Sequence, residues 1–118
     1  MLQNIPIRYR SAYAKFRCGV APLRIETGRY ERLELNERVC FNCNDNIIED
    51  EEHALLRCPL YEDLRQSLYI DVSRQNNNFL SLSDRDKFIY LFSNSNVCST
   101  VAKTCHNILL RRNSILYC

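Results

Sequence analysis

Only two glycines occur in 118 residues, and the longer apolar patterns repeat at helical spacing, so few hairpins are expected. No apolar run approaches the roughly 20 residues that a membrane-spanning helix needs. The opening Met1-Leu2-Gln3-Asn4-Ile5-Pro6 lacks the apolar core of a secretory signal. Seven cysteines is an odd count, which argues against a secreted disulfide framework and for a reducing, intracellular setting, cytoplasmic or nuclear. The phosphate-cradling G-x-x-x-x-G-K-S/T, the nucleophile elbow G-x-S-x-G and the metalloprotease H-E-x-x-H are all missing. No catalytic residue is assigned, and the chain reads as a non-enzyme. Its length suits one soluble domain, small enough to benefit from a metal staple.

What the chain does have is concentrated between Arg38 and Arg65. Cys40, Cys43, His53 and Cys58 stand in a C-x2-C-x9-H-x4-C spacing. Two cysteines two residues apart fold their thiolates onto one ion from a tight knuckle. The imidazole of His53 and the thiolate of Cys58 then complete a tetrahedral Cys3His site of the kind Zn2+ prefers. With all four positions taken by protein, such a site is structural, and the nearby carboxylates Asp45 and Glu49 have nothing to activate. Buried core cysteines or a redox pair are the competing readings. No βαβ pattern surrounds Cys40 and Cys43, which disfavours the redox pair.

The local chemistry extends this picture. Glu49, Asp50, Glu51 and Glu52 precede an apolar Ala54-Leu55-Leu56 and suit the first turn of a helix carrying His53. Cys58 lies five residues on, about 140° round the helix, and is expected to ligate from beyond its end. Pro59 fits the first position of a new helix, and a carboxylate of the acidic run is expected on the second ring nitrogen of His53. Cys98, Cys105 and His106 do not make a second site, because Cys98 and Cys105 would stand about 10 Å apart on one helix. Cys18, Cys98 and Cys105 are read as unpaired, mostly buried thiols, and Cys118 as a terminal thiol.

The runs R-x-C-x-x-C and E-D-E-x-H-x-L-x-x-C-P-x-Y, followed by Arg65, resemble the zinc-binding domain that follows the polymerase in non-LTR retrotransposon reverse transcriptases. The stretch from Lys15 to Tyr30 is similar to the lead-in of that family, and the resemblance spans about residues 9–70. It implies a zinc-stabilised helical module, the tail of a larger polyprotein, that helps handle template RNA or DNA beside a reverse transcriptase polypeptide or another protein. The polymerase itself is absent: Tyr69-Ile70-Asp71-Val72 lacks the second aspartate that a two-metal site requires.

The net charge of +2 is uneven. Residues 1–39 carry eight Lys/Arg against four Glu, a net of +4; residues 40–71 carry two Arg against eight acids, −6; residues 72–118 carry six against two, +4. Attraction to phosphate must then come from the flanks, with Arg8, Arg10, Lys15 and Arg17 in the first helix and Lys103, Arg111 and Arg112 in the last as candidates. Arg111 and Arg112 also suit the negative end of the helix dipole, or plain solvation. Tyr9, Tyr13 and Phe16 form a stripe that is either core or a platform for unpaired bases. Gly19 and Pro22 close that first helix. Leu23–Val39 is poorly periodic, with a turn at Thr27-Gly28-Arg29, short extended chain over Tyr30–Leu35, and Arg38 pairing the acidic run or solvated.

Leu60, Leu64 and Leu68 mark a helix whose Glu62, Asp63, Arg65 and Gln66 face outward, Glu62 pairing with Arg65. Gln75–Asn78 is a polar loop, Ser83 caps a helix over Asp84–Phe92, and Val97, Val101, Cys105, Ile108 and Arg112 follow the spacing of the last one. The expected fold is mostly α, a small single-domain helical bundle built around one Cys3His zinc knuckle, with the 9–70 module covered by helices from 79–118. Two functions fit: a module contacting RNA or DNA, or a zinc-stabilised protein-interaction domain without nucleic-acid affinity.

Overall fold

The computed structural model describes residues 5–41, 43 and 46–116. Asp45 and Cys118 lie outside them. Helix α1 runs from Ile7 to Cys18. Pro6 presets its entry, its carbonyl accepting from the amides of Tyr9 and Arg10 at 3.0 Å. Gly19 stops it at φ 72°, a left-handed conformation that costs least without a Cβ. Tyr13 and Phe16 are buried and Tyr9 is half-buried against the core, so the aromatic stripe of α1 is core and not a base-stacking platform. Cys18 is exposed, contrary to expectation: it is the last residue of α1, flanked by the exposed Arg17 and Gly19.

The segment after α1 departs most from the sequence reading. Thr27-Gly28-Arg29 is no turn but the middle of a second helix, α2, from Arg24 to Tyr30. A Cβ at Gly28 would stand 2.6 Å from Cγ of Arg38, so this glycine makes room for a side chain laid across the helix. Arg38 neither pairs the acidic run nor points to solvent. It donates to the carbonyl of Leu33 at 2.9 and 3.1 Å and to that of Ile25 at 3.2 Å. Residues Leu35–Glu37 form a single 3-10 turn, closed by reciprocal capping between Glu34 and Glu37.

Four more helices follow: α3 (Glu51–Leu56), α4 (Glu62–Gln75), α5 (Asp84–Ser93) and α6 (Cys98–Leu116). Ser83 caps α5 by accepting from the amide of Asp86 at 3.2 Å, and α4 is entered through a 3-10 turn opened by Pro59. Beyond helices, the described residues hold one isolated antiparallel bridge, Val39 to Ile48. The most extensive packing is α1 along α6, with α4 on the other side of α6 and α5 against α3. One continuous core joins them, including Phe16, Leu55, Tyr61, Leu68, Phe79, Leu91 and Ile108. The radius of gyration, 14.1 Å, is close to the roughly 13–14 Å of one compact domain of this length. No helix among the described residues is long and apolar enough to cross a membrane.

Candidate metal centre

The knuckle is shaped by the bridge at its base. The amide of Cys40 donates to the carbonyl of Ile47 at 2.8 Å, and that of Glu49 to Arg38 at 3.0 Å. Asp50 is the N-cap of α3 and accepts from the amide of His53 at 2.8 Å, which fixes the histidine in the first turn. Cys58 lies beyond the end of α3, as the spacing requires, with its amide on the carbonyl of His53 at 2.8 Å. The acidic run therefore splits: Asp50 caps, Glu51 and Glu52 fill the first turn, and Glu49 stays outside the helix.

This backbone brings one ligand atom each from Cys40, Cys43, His53 and Cys58 within 4.8 Å of one another. Sγ of Cys58 is 3.9 Å from that of Cys40 and 4.0 Å from that of Cys43, and Sγ of Cys43 is 3.4 Å from Nε2 of His53. A tetrahedron with metal–sulfur bonds of about 2.3 Å and a metal–nitrogen bond of about 2.0 Å has edges of about 3.8 and 3.5 Å. The donor set fits a four-coordinate ion. Three of the residues are buried and Cys43 is half-exposed. The neighbouring Cys40 thiol and burial push the Cys58 thiol up, against the pull of the Leu60 amide. Crowded thiols of this kind lose their protons to a bound cation.

Nδ1 of His53 is buried without a hydrogen-bond partner among the described residues, so no carboxylate of the acidic run holds it and that expectation is corrected. The acids near the site are committed elsewhere. Glu51 accepts from the amide of Ala21 at 3.2 Å, and burial raises its pKa. Glu49, 2 % exposed, accepts from the amide of Arg24 at 2.7 Å and from the guanidinium of Arg112 at 2.7 and 3.0 Å. Arg65 faces inward as well. It donates to the carbonyl of Leu55 at 3.0 Å and of Cys58 at 2.6 Å while keeping its pair with Glu62 at 2.5 Å. It thus ties the end of α3 and the fourth ligand to α4.

Comparison with protein-family models, curated proteins and solved structures finds no match. The chemistry of the chain has to be read from its own geometry.

The seven cations proposed for phosphate contact divide into two groups. Arg112 is buried in its pair with Glu49, and this corrects its reading as a solvated or phosphate-facing residue. Helix α6 turns it inward, where a buried carboxylate awaits it. Arg111 is held by Asp63 at 2.5 and 2.9 Å and by the carbonyl of Leu60 at 2.9 Å. Both therefore fasten α6 to the half that carries the Cys3His cluster. Arg8, Arg10, Lys15 and Arg17 of α1 and Lys103 of α6 make no ion pair among the described residues. His106 turns toward α1 and packs on the ring of Tyr9 at 5.1 Å.

The Arg111 guanidinium lowers the pKa of Asp63 from 3.8 to about 2. A carboxylate depressed by folding stabilises fully above its unfolded value, and that contribution fades as pH falls from about 4 through about 2. Carbon-detected NMR titration should place Asp63 near 2, and in Arg111→Ala it should return toward 3.8. A midpoint near 3.8 in the parent protein would show that the pair does not form in solution.

Proposed function

We propose that the protein is a non-catalytic module folded around one Zn2+ at Cys40, Cys43, His53 and Cys58, which presents helix α1 to RNA or DNA. Zinc is favoured over other ions by the three-thiolate, one-imidazole donor set and the tetrahedral spacing of its atoms. The closed coordination gives the metal a structural role, and thiolates of this kind persist in a reducing compartment. This reading agrees with the resemblance of residues 9–70 to the zinc-binding domain of retrotransposon reverse transcriptases, and it makes such a polypeptide a natural partner.

One observation carries the nucleic-acid part. Helix α1 holds Arg8, Arg10, Lys15 and Arg17 with no acidic residue of its own. Eight other arginines, from Arg24 to Arg112, each pair with a carboxylate. Positive charge left uncompensated on one helix of a nearly neutral protein is what a phosphate backbone recognises. Binding to a single-stranded oligonucleotide should weaken with salt, with a log–log slope of about −2 to −3 for three or four phosphate contacts. Changing Arg8, Arg10, Lys15 and Arg17 to Gln should abolish binding while zinc content and circular dichroism stay at parental values.

A second reading has its own support. Ile70 and Leu80 are exposed beside Tyr69, around an open cavity of about 610 Å³ on the outer face of α4. Zinc-loaded protein that binds no oligonucleotide at low salt would leave this apolar face, and a protein partner, as the better reading.

A further inference from the structure

The contact between α1 and α6 leaves a groove of about 180 Å³ along its outer side. Arg8, Ser11 and Lys15 line one wall at i, i+3 and i+7, and His106 and Asn113, seven residues apart, line the other. Ala12 and Leu109 form an apolar floor. Neither helix contains an aspartate or glutamate, so every charged group on the rim is a cation. The remaining polar groups, a hydroxyl, a carboxamide and an imidazole, can each donate a hydrogen bond. Arg8 is held at the groove mouth by Tyr9, its guanidinium 4.7 Å from the centre of that ring, and Tyr9 in turn packs on His106. Partial burial and the charge of Arg8 lower the pKa of His106, which leaves its ring neutral near pH 7 with one N–H to offer.

The volume is smaller than the roughly 300–1,000 Å³ of sites that enclose a whole organic ligand. It suits one compact anionic group. We infer that the α1–α6 groove seats a backbone phosphate of a single-stranded nucleic acid, with Arg8 and Lys15 pairing to its oxygens and Ser11, His106 and Asn113 donating from around them. This rests on the reading that α1 faces nucleic acid, and it adds where the strand is gripped. Contacts to phosphate position a strand without reading its bases, so binding at this seat is independent of sequence.

The test compares two charge-matched variants of the zinc-loaded full chain, using a fluorescein-labelled 20-nucleotide oligouridylate and anisotropy at low salt. Arg8→Ala/Lys15→Ala removes the groove cations. Arg74→Ala/Arg85→Ala removes two exposed cations of α4 and α5, outside the groove and off both of its helices. Loss of charge-assisted hydrogen bonds should weaken the first variant about 10- to 100-fold, while the second loses no more than a few-fold. A third variant, Ser11→Leu, keeps every charge and fills the groove from an exposed position; it should also weaken binding about tenfold or more. Equal losses in the two charge variants, or full binding by a folded Ser11→Leu protein, would overturn the seat and leave a diffuse cationic face. A parent protein that binds nothing would overturn the nucleic-acid reading itself.

Discussion

Stripped of its metal by a chelator, the protein should lose most of the helical signal that comes from residues 40–70, and with it the cooperative unfolding transition. Structural zinc supplies on the order of 10 kcal/mol of folding free energy near neutral pH. Whole domains are stable by only about 5–15 kcal/mol. Zinc bound at the four donors would thus contribute as much as everything else that holds this fold. The geometry shows where the damage begins. Cys58 is both the fourth donor and the residue whose carbonyl anchors Arg65, so an unligated Cys58 frees the join between α3 and α4. Cys58→Ser should give protein with less than one zinc per chain and an unfolding transition at much lower denaturant. Metal analysis of protein prepared without chelator, read together with circular dichroism, decides the matter. A zinc-free yet fully helical preparation, or full zinc retention in Cys58→Ser, would remove the metal from the account.

The donor set was legible because its signal is local. Four residues within nineteen positions carry the spacing, and Asp50 and Pro59 punctuate the backbone around them in ways that short-range rules capture. The helices from α4 onward were equally plain, since Leu68, Leu91, Val101 and Ile108 repeat at helical period and are buried. Gly28 misled because a glycine in a polar stretch usually marks a turn. Here its missing Cβ accommodates Arg38, ten residues away in sequence. Glu49 and Arg65 were hidden for a related reason, while Arg112 fell on the apolar spacing of the last helix but its partner did not show. Apolar periodicity assigns charged side chains to solvent, and it cannot see that a carboxylate near the knuckle will meet a guanidinium 63 residues later. The α1–α6 groove was out of reach in the same way. His106 stood out only as a rejected metal ligand until the packing set it beside Arg8 and Lys15.

The buried pair of Glu49 and Arg112 carries the second large effect. Arg112→Met should destabilise the zinc-saturated protein by about 3–5 kcal/mol, the usual consequence of leaving one partner of a buried ion pair behind. The pair is more than an isolated contact. Its side chains are 2 % and 5 % exposed, and Glu49 also accepts from Arg24, while its backbone bonds both Arg38 and Ile25. Arg112 is therefore the bolt between α6 and the segment that joins the knuckle to α3. Glu49→Gln/Arg112→Met should be less damaged than Arg112→Met alone, because glutamine keeps an acceptor for Arg24 and removes the stranded charge. Urea unfolding at saturating zinc measures the parent and both variants on one scale. If Arg112→Met falls within about 1 kcal/mol of the parent, the pair is worth no more than an exposed salt bridge. Helix α6 would then be held by its apolar face and by the contacts of Arg111.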